Sequence, residues 1–330
     1  ANPAPEILEL LTKLGSCFDC ASIGEIEMVL AAGATADRIS FGNTIKKERD
    51  IARAFERGVK LFAVDCEAEV EKIARAAPGS KVFCRILCDG AEAEWPLSRK
   101  FGCVPEMAPR VLELAHRLGL VAHGVSFHVG SQQRNPLVWN TALASAASIF
   151  REMAERGITL SMVNLGGGFP TKYLRDIPKV QAYGQAISAS LRAHFGNRIP
   201  ETIIEPGRGM VGNAGIIESE VVLVSKKSDD PADIRWVYLD IGKFHGLAET
   251  MDEAIRYPIR TPRDGDETIP CVLAGPTCDS VDVMYEKEPY WLPFSLEIGD
   301  KVLIEGTGAY TTTYSSQNFN GMTGLRQIVI

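Results

Sequence analysis

Residues 1–15 read ANPAPEILELLTKLG, and the way they begin decides the fold. Pro5 and Glu6 suit a first helical turn, Ile7, Leu10, Leu11 and Leu14 recur at helical spacing, and Gly15 can close the helix in a left-handed conformation. The sequence thus opens on a helix with no strand before it. Downstream, short β-rich runs alternate with amphipathic runs that mostly end in glycine: CFDCAS then EIEMVLAAG, RISFGN then KKERDIARAFERG, LFAVDC then EAEVEKIARAAPG. VFCRILC, VAHGVSFHVGS and SMVNLGGGF continue the pattern, each followed by a helical run, and ETIIEPG is the last strand. Strand–helix units of about 30 to 35 residues imply βαβ connections and a parallel sheet. Seven strands and seven helices are expected, the opening helix being the one without a strand. A parallel barrel of this type closes with eight strands, so the pattern predicts a (β/α)8 TIM barrel whose first strand is missing from the sequence. The rival is an open doubly wound sheet, and the regularity of the units favours the barrel.

From about residue 215 the texture changes. IIESEVVLVSKKS, IRWVYLDIG, TIPCVLAG, KVLIEGTGAY and RQIVI are strand-like and separated by Pro, Asp and Gly turns, with one short helical candidate near residues 247–256. The expected division is a barrel over 1–212 and a mostly antiparallel β domain over 213–330.

The chain has 330 residues, 45% of them hydrophobic, enough to bury full cores. A net charge of −7 without a Lys/Arg stripe argues against a nucleic-acid partner. No apolar run approaches bilayer length, so a soluble protein without a membrane partner is expected. The eight cysteines follow no regular framework, and Cys66, Cys84 and Cys271 sit in apolar runs, which points to buried thiols in a reducing, cytoplasmic compartment. Cys17 and Cys20 form a CxxC inside a strand, where residues three apart face opposite sides, so no metal is assigned there. The histidines show no metal-ligand spacing either.

In such barrels the reactive groups sit where strands end. Asp19 in FDCAS, Arg85 in FCRIL, His128 in SFHVGS, Gly166 to Gly168 in LGGGF, and Glu205 with Arg208 in EPGR all occupy such ends. The triple glycine lets backbone amides turn toward an anion, although a plain tight turn would look the same. EPGR adds a carboxylate, a rigid turn at Gly207 and a guanidinium suited to phosphate. Both motifs fall after the seventh and eighth strands once the missing strand is numbered first, the usual place for phosphate in these barrels. In the β domain, GPTCDSVD sets Cys278, Asp279 and Asp282 in a turn-rich stretch, and GTGAYTTTY places Tyr310 after a glycine-rich bend. Aspartates in turns are commonly structural; with a thiol beside them they can also join a proton donor to recognition of a cation.

In this order FDCAS with Glu25, SFHVGSQ, LGGGFP, EPGR, GPTCDS and GAYT resemble the pyridoxal-phosphate-dependent decarboxylases of the alanine-racemase-like fold, most closely the ornithine decarboxylases. The resemblance runs from Ala1 to about Tyr314. It implies a head-to-tail homodimer with active sites at the subunit interface and a small amino-acid substrate. It implies that Gly166, Gly167, Gly168, Ser131, Gly207 and Arg208 hold the cofactor phosphate with Tyr310. Glu205 would bond the pyridine nitrogen and His128 would stack on the ring, with Asp19 and Arg85 around the cofactor. Cys278 would return a proton to the α-carbon, and Asp279, with Asp282 and Glu249, would recognise the substrate's distal ammonium. Aspartate after this cysteine, where diaminopimelate decarboxylases typically carry glutamate, leans toward ornithine or lysine. Diaminopimelate, arginine and carboxynorspermidine stay open as substrates, as does a catalytically inactive homologue that binds a regulatory partner. The lysine that anchors the cofactor in the family would stand immediately before Ala1. Lys13, Lys46 and Lys47, expected on helices, are poor substitutes.

Overall fold

A computed structural model describes residues 1–88 and 100–330 together with the backbone of 93–95. The expected alternation is present: α1 (Pro5–Lys13), β1 (Phe18–Cys20), α2 (Ile23–Ala31), β2 (Ile39–Phe41), α3 (Glu48–Glu56), β3 (Leu61–Val64), α4 (Glu67–Ala76), β4 (Lys81–Arg85). A short strand β5 (Ala93–Trp95) precedes α5 (Ala108–Arg117) and β6 (Val121–Ser126); β7 (Ser131–Gln133), α6 (Trp139–Glu155), β8 (Met162–Asn164), α7 (Val180–Phe195) and β9 (Glu201–Ile203) follow.

The seven strands form one sheet in the order β1-β2-β3-β4-β6-β8-β9, every neighbour parallel. Each helix carries the chain back to the start of the next strand, which is what parallel pairing requires. Among the described residues β1 and β9 are the edges of this sheet, a curled partial barrel. β5 and β7, which the sequence reading does not anticipate, pair antiparallel as a small separate sheet.

Strand alternation divides the side chains. One face packs against the helices, where Ile26, Ile51, Ile73, Leu112 and Leu143 meet Phe41, Phe62, Val82 and Val125 in one continuous core. Each fully buried aliphatic or aromatic side chain contributes about 1.5–3 kcal/mol there. On the other face Ala63, Phe83 and Met162 form a small cluster with Leu61 and Ile203 against it. Two residues further along the same strands, the same face carries Arg85, Asn164 and Glu205. The column changes from apolar to polar toward the C-terminal strand ends, and that change locates the candidate site. Gly124 permits the close approach of β6 and β8, since a Cβ there would lie 2.0 Å from the Met162 carbonyl oxygen.

The first compact unit comprises residues 3–169 and 178–206; the second comprises 1–2, 170–177 and 207–330. These units meet along the chain at 206/207, and residues 170–177 fall with the second. That unit contains α8 (Gly207–Val211), β10 (Ile216–Ser225), β11 (Arg235–Leu239), β12 (Ile259–Arg260), β13 (Thr268–Ala274), β14 (Val283–Met284), β15 (Tyr290–Pro293) and β16 (Lys301–Glu305). The sheet order is β12-β16-β10-β11-β13-β14 with β15 also on β13; only β11 and β13 run parallel. Its core holds Val221, Val237, Ile255, Tyr257, Leu273 and Ile304.

Three local expectations need correction. The helical candidate near 247–256 is a 3-10 segment, Ala248–Glu253, broken at Met251 and Asp252, where Asp252 takes φ 53°. RQIVI at 326–330 is not a strand: its residues lie on the surface, paired with no strand among the described residues. Lys46 lies in the loop after β2 and Lys47 caps α3, so neither is helical. No helix among the described residues is long and apolar enough to cross a membrane.

Candidate active site

The first unit gathers its polar groups at the C-terminal strand ends. Asp19, on β1, accepts a hydrogen bond from Ser40 Oγ at 2.6 Å, its register partner on β2. Gly42 makes room for that carboxylate, because a Cβ there would come within 1.9 Å of Asp19 Oδ1. Just beyond β1, Ser22 Oγ accepts from the Glu25 amide and Glu25 Oε2 accepts from the Ala21 amide at 2.6 Å, a reciprocal cap that fixes the start of α2.

Glu205 follows β9. Its Oε1 accepts from Asn164 Nδ2 at 2.6 Å, while Asn164 Oδ1 accepts from the Gly166 amide at 2.9 Å. Glu205 reaches solvent but is ringed by protein, and this crowding, with Asp19 nearby, pushes its carboxyl up to about 8 against the opposing pull of Asn164 and Arg85. Asp19 is raised as well, first by the same enclosure. Arg85 lies over the Phe101 ring at 5.3 Å.

His128 Nδ1 accepts from the Gly130 amide at 3.0 Å, so that nitrogen carries no proton. Burial and then the Arg85 charge lower its pKa to about 4, leaving a neutral ring near pH 7. Gly166 and Gly168 have φ of 65° and 100°, conformations that favour glycine. A Cβ on Gly167 would lie 3.0 Å from His128 Nε2 and 2.9 Å from the Glu205 carbonyl oxygen. The triple glycine, His128 and Glu205 are therefore neighbours. Ser131 begins β7, just after this histidine.

In the second unit, Arg208 on α8 is 5% exposed and bonds Glu249 with both terminal nitrogens, at 2.7 and 2.5 Å, and Tyr173 Oη at 2.9 Å. Its guanidinium also lies over the Tyr310 ring at 4.9 Å. Burial opposes the charge, yet the bonds to Glu249 and Tyr173 outweigh it and hold the guanidinium firmly ionised. Tyr310 adopts φ 57°, its amide donates to the Ala1 carbonyl at 3.0 Å, and its hydroxyl would be 3.7 Å from a Cβ placed on Gly207.

Cys278, Asp279 and Asp282 lie in the loop between β13 and β14. Cys278 is exposed, and Asp279 Oδ1 accepts from the Val281 amide at 3.0 Å. Asp282 is buried, its carboxylate accepting from the Lys243 amide and from the amide and hydroxyl of Thr277. Glu249 and Asp282, expected near a substrate ammonium, thus have carboxylates committed to Arg208 and to the loop respectively.

Asn164 is the polar residue the sequence reading misses. The signal was a lone amide closing the apolar run Met162–Val163, on a strand that ends at the glycine turn. Lys46 is buried and donates to the Ala63 and Asn43 carbonyls at 2.7 Å each, with Glu69 Oε1 at 3.0 Å. It knits the β2–α3 loop to β3 and α4, a structural task rather than that of an anchoring amine. No cluster of three or more potential metal ligands occurs among the described residues.

The residues present fit pyridoxal phosphate. A crowded carboxyl at Glu205, pushed up beside Asp19, is the group that a protonated pyridine nitrogen would relieve. Gly167 lies so close to the neutral His128 ring and the Glu205 carbonyl that a Cβ would crowd both, which sets the glycine turn, an uncharged imidazole and that carboxyl side by side, as a phosphate-bearing pyridine needs.

The family described as pyridoxal-dependent decarboxylase, pyridoxal binding domain, matches residues 1–212. A lysine/ornithine decarboxylase of Selenomonas ruminantium is 34% identical over 326 residues, covering 97% of this chain and 79% of the relative. The crystal structure of lysine decarboxylase from the same organism superposes with a TM-score of 0.85 at 33% identity, covering 98% of this chain and 82% of that one. The arginine decarboxylase of Paramecium bursaria Chlorella virus gives 0.86 at 29% identity, with 98% and 85% covered. With a raised carboxyl at Glu205, a neutral imidazole at His128 and a glycine turn at the strand ends of one parallel sheet, and these likenesses along nearly its whole length, the chain belongs to the pyridoxal-phosphate-dependent ornithine/lysine decarboxylase family.

Proposed function

We propose that this enzyme decarboxylates L-ornithine, and also L-lysine, to putrescine and cadaverine, a step of polyamine biosynthesis, and works in the cytoplasm as a homodimer. Glu205 is the observation that carries the chemistry. Bound pyridoxal phosphate supplies the sink for the electron pair left on the α-carbon when carbon dioxide departs. Glu205 holds a proton at the pyridine nitrogen, which keeps the ring electron-withdrawing, and Asn164 holds Glu205. His128 offers an uncharged face to the ring and leaves that positive charge unopposed. Gly167 and Gly168 present backbone amides to phosphate, Gly166 bends the turn while its own amide serves Asn164, Ser131 stands close by, and Arg208, set on Glu249 above Tyr310, suits a phosphate oxygen in its own unit. Asp19 and Arg85 balance the charge around Glu205.

Cys278, exposed on its loop, returns the proton to the α-carbon, and Asp279 takes the distal ammonium. The Selenomonas relative's name and the aspartate that follows Cys278 support a simple diamino acid. The likeness to a viral arginine decarboxylase supports arginine as the second reading. Carbon dioxide release measured for ornithine, lysine, arginine, diaminopimelate and carboxynorspermidine separates them. Turnover confined to either of the last two, or to arginine, removes the proposal.

A further inference from the structure

We infer that Asp282 is a positioning residue that sets the reach of the Cys278 loop, an inference that rests on Cys278 as the proton donor. The loop of residues 275–282 joins β13 to β14, whose pairing of Ala274 with Val283 fixes its two ends. Asp282 is 2% exposed at the loop's far end, yet its carboxylate turns back across the loop. Oδ2 accepts from Thr277 Oγ1 at 2.7 Å and from the Thr277 amide at 3.3 Å; Oδ1 accepts from the Lys243 amide at 2.8 Å. The Gly275 amide donates to the Asp282 carbonyl at 2.8 Å, and the Asp282 amide donates to the Asp279 carbonyl at 3.1 Å.

One carboxylate therefore closes the 275–282 loop on itself and ties it to the segment after β11. The two glycines that box it leave no slack: a Cβ on Gly242 or on Gly275 would come within 2.2 Å of a carboxylate oxygen. Between the ends, the Cys278 amide donates to Asn320 Oδ1 at 3.1 Å, where Asn320 takes φ 51°. The thiol stands on a stretch held from both sides, and only a residue that accepts at both oxygens can hold the first side. Asparagine presents one acceptor and one donor, so it must face at least one of these N–H or O–H donors with its own amide hydrogens. With both oxygens of Asp282 engaged by these protein donors, its effect is exerted through Cys278.

The consequence is chemical. Were Cys278 out of reach, the α-carbon would lack its proton donor and the released product would be an aminoaldehyde, its oxygen from water, in place of the diamine. Bound pyridoxal phosphate would supply the matching acceptor, keeping the substrate nitrogen and taking up the two electrons that the substrate carbon loses, so no outside oxidant would enter.

The test compares wild type with Asp282→Asn, Asp282→Ala and Gly275→Ala as holoenzymes, with Asn320→Ala as a variant outside the buried clamp should Asp282→Ala fail to fold. Iodoacetamide labelling of Cys278, followed by peptide mass spectrometry, reads thiol placement without turnover; the aminoaldehyde-to-diamine ratio reads proton delivery. We expect the labelling rate to change about fivefold or more, kcat to fall about tenfold, KM to move less than about twofold, and the aminoaldehyde share to rise. Wild-type labelling rates and product ratios in both Asp282→Asn and Gly275→Ala overturn the inference. Cys278→Ala serves as the control on the underlying reading: a wild-type product ratio in that variant removes Cys278 as donor, while the labelling rates still decide whether Asp282 places the loop.

Discussion

Asn164 joins Glu205 to Gly166 through one buried amide, donating from Nδ2 to the Glu205 carboxylate at 2.6 Å and accepting at Oδ1 from the Gly166 amide at 2.9 Å. The group proposed to hold the ring nitrogen and the first residue of the glycine turn proposed for the phosphate therefore share one support. Asn164→Leu removes both bonds at constant bulk and leaves a buried amide without a partner, at a cost of about 1–3 kcal/mol. Thermal unfolding should show the loss, and a cofactor titration followed by absorbance should show weakened binding in the surviving fold. Unchanged affinity would separate Asn164 from the site.

Stability without cofactor should depend on pH through Glu205. Its folded carboxyl is raised from the ordinary 4.5 to about 8, so the folded state binds that proton more tightly than the unfolded chain does. The protonated carboxyl's contribution is complete below about 4.5 and is lost as pH rises through about 8. Cofactor-stripped protein should melt at falling temperature across that window, and Glu205→Gln should flatten the curve. The same substitution should cut turnover by about a hundredfold or more in the holoenzyme, since an amide cannot keep the ring protonated. A pH-independent melting temperature in stripped wild type would contradict the assignment.

His128 titrates at about 4, far below the usual imidazole range, so its ring stays neutral through pH 5 to 9. The pH–rate profile should carry no inflection from it near 6.5, and the nitrogen resonances of labelled His128 should stay those of a neutral ring. His128→Ala should weaken cofactor binding about tenfold by removing the ring face. An imidazolium signal at pH 7 would sink the stacking role.

The first two glycines of the turn should fail differently. Gly166→Ala forces a side chain into φ 65° with its Cβ 2.0 Å from the Phe127 carbonyl oxygen, and should lower stability by about 3 kcal/mol or more. Gly167→Ala meets His128 and the Glu205 carbonyl near 3 Å without an unfavourable φ, so the variant should fold yet bind cofactor poorly. Melting curves and cofactor titrations on the pair decide it; equal losses in both readouts would argue against a specific cradle at Gly167.

Lys46→Met leaves Glu69 buried with one of its two amine partners gone, and should destabilise the first unit by about 3 kcal/mol. The visible absorbance of bound cofactor in the remaining folded protein should persist. Its disappearance would make Lys46 an attachment point.

Much of the architecture is legible in the chain, because periodicity survives in one dimension: apolar residues every two or every three to four positions are written in order, and glycines mark where helices stop. The strand-end motifs are legible for the same reason, since βα connections put catalytic groups directly after short, countable strands. RQIVI shows the limit, for β-branched residues describe a strand only when a partner edge is within reach. Asn164 shows another, because its importance comes from Glu205, which lies 41 residues later in the chain.

The order of the seven parallel strands and their helices, the glycine turn and the identity of the cysteine loop were determined by the sequence alone, through local propensities that need no partner. Which carboxylate is spent on bracing the protein was decided only by tertiary structure. Glu205, Glu249 and Asp282 are alike as carboxylates; what separates them is whether folding brings an amide, a guanidinium or a set of backbone N–H groups within hydrogen-bond distance, and that depends on residues far away in the chain.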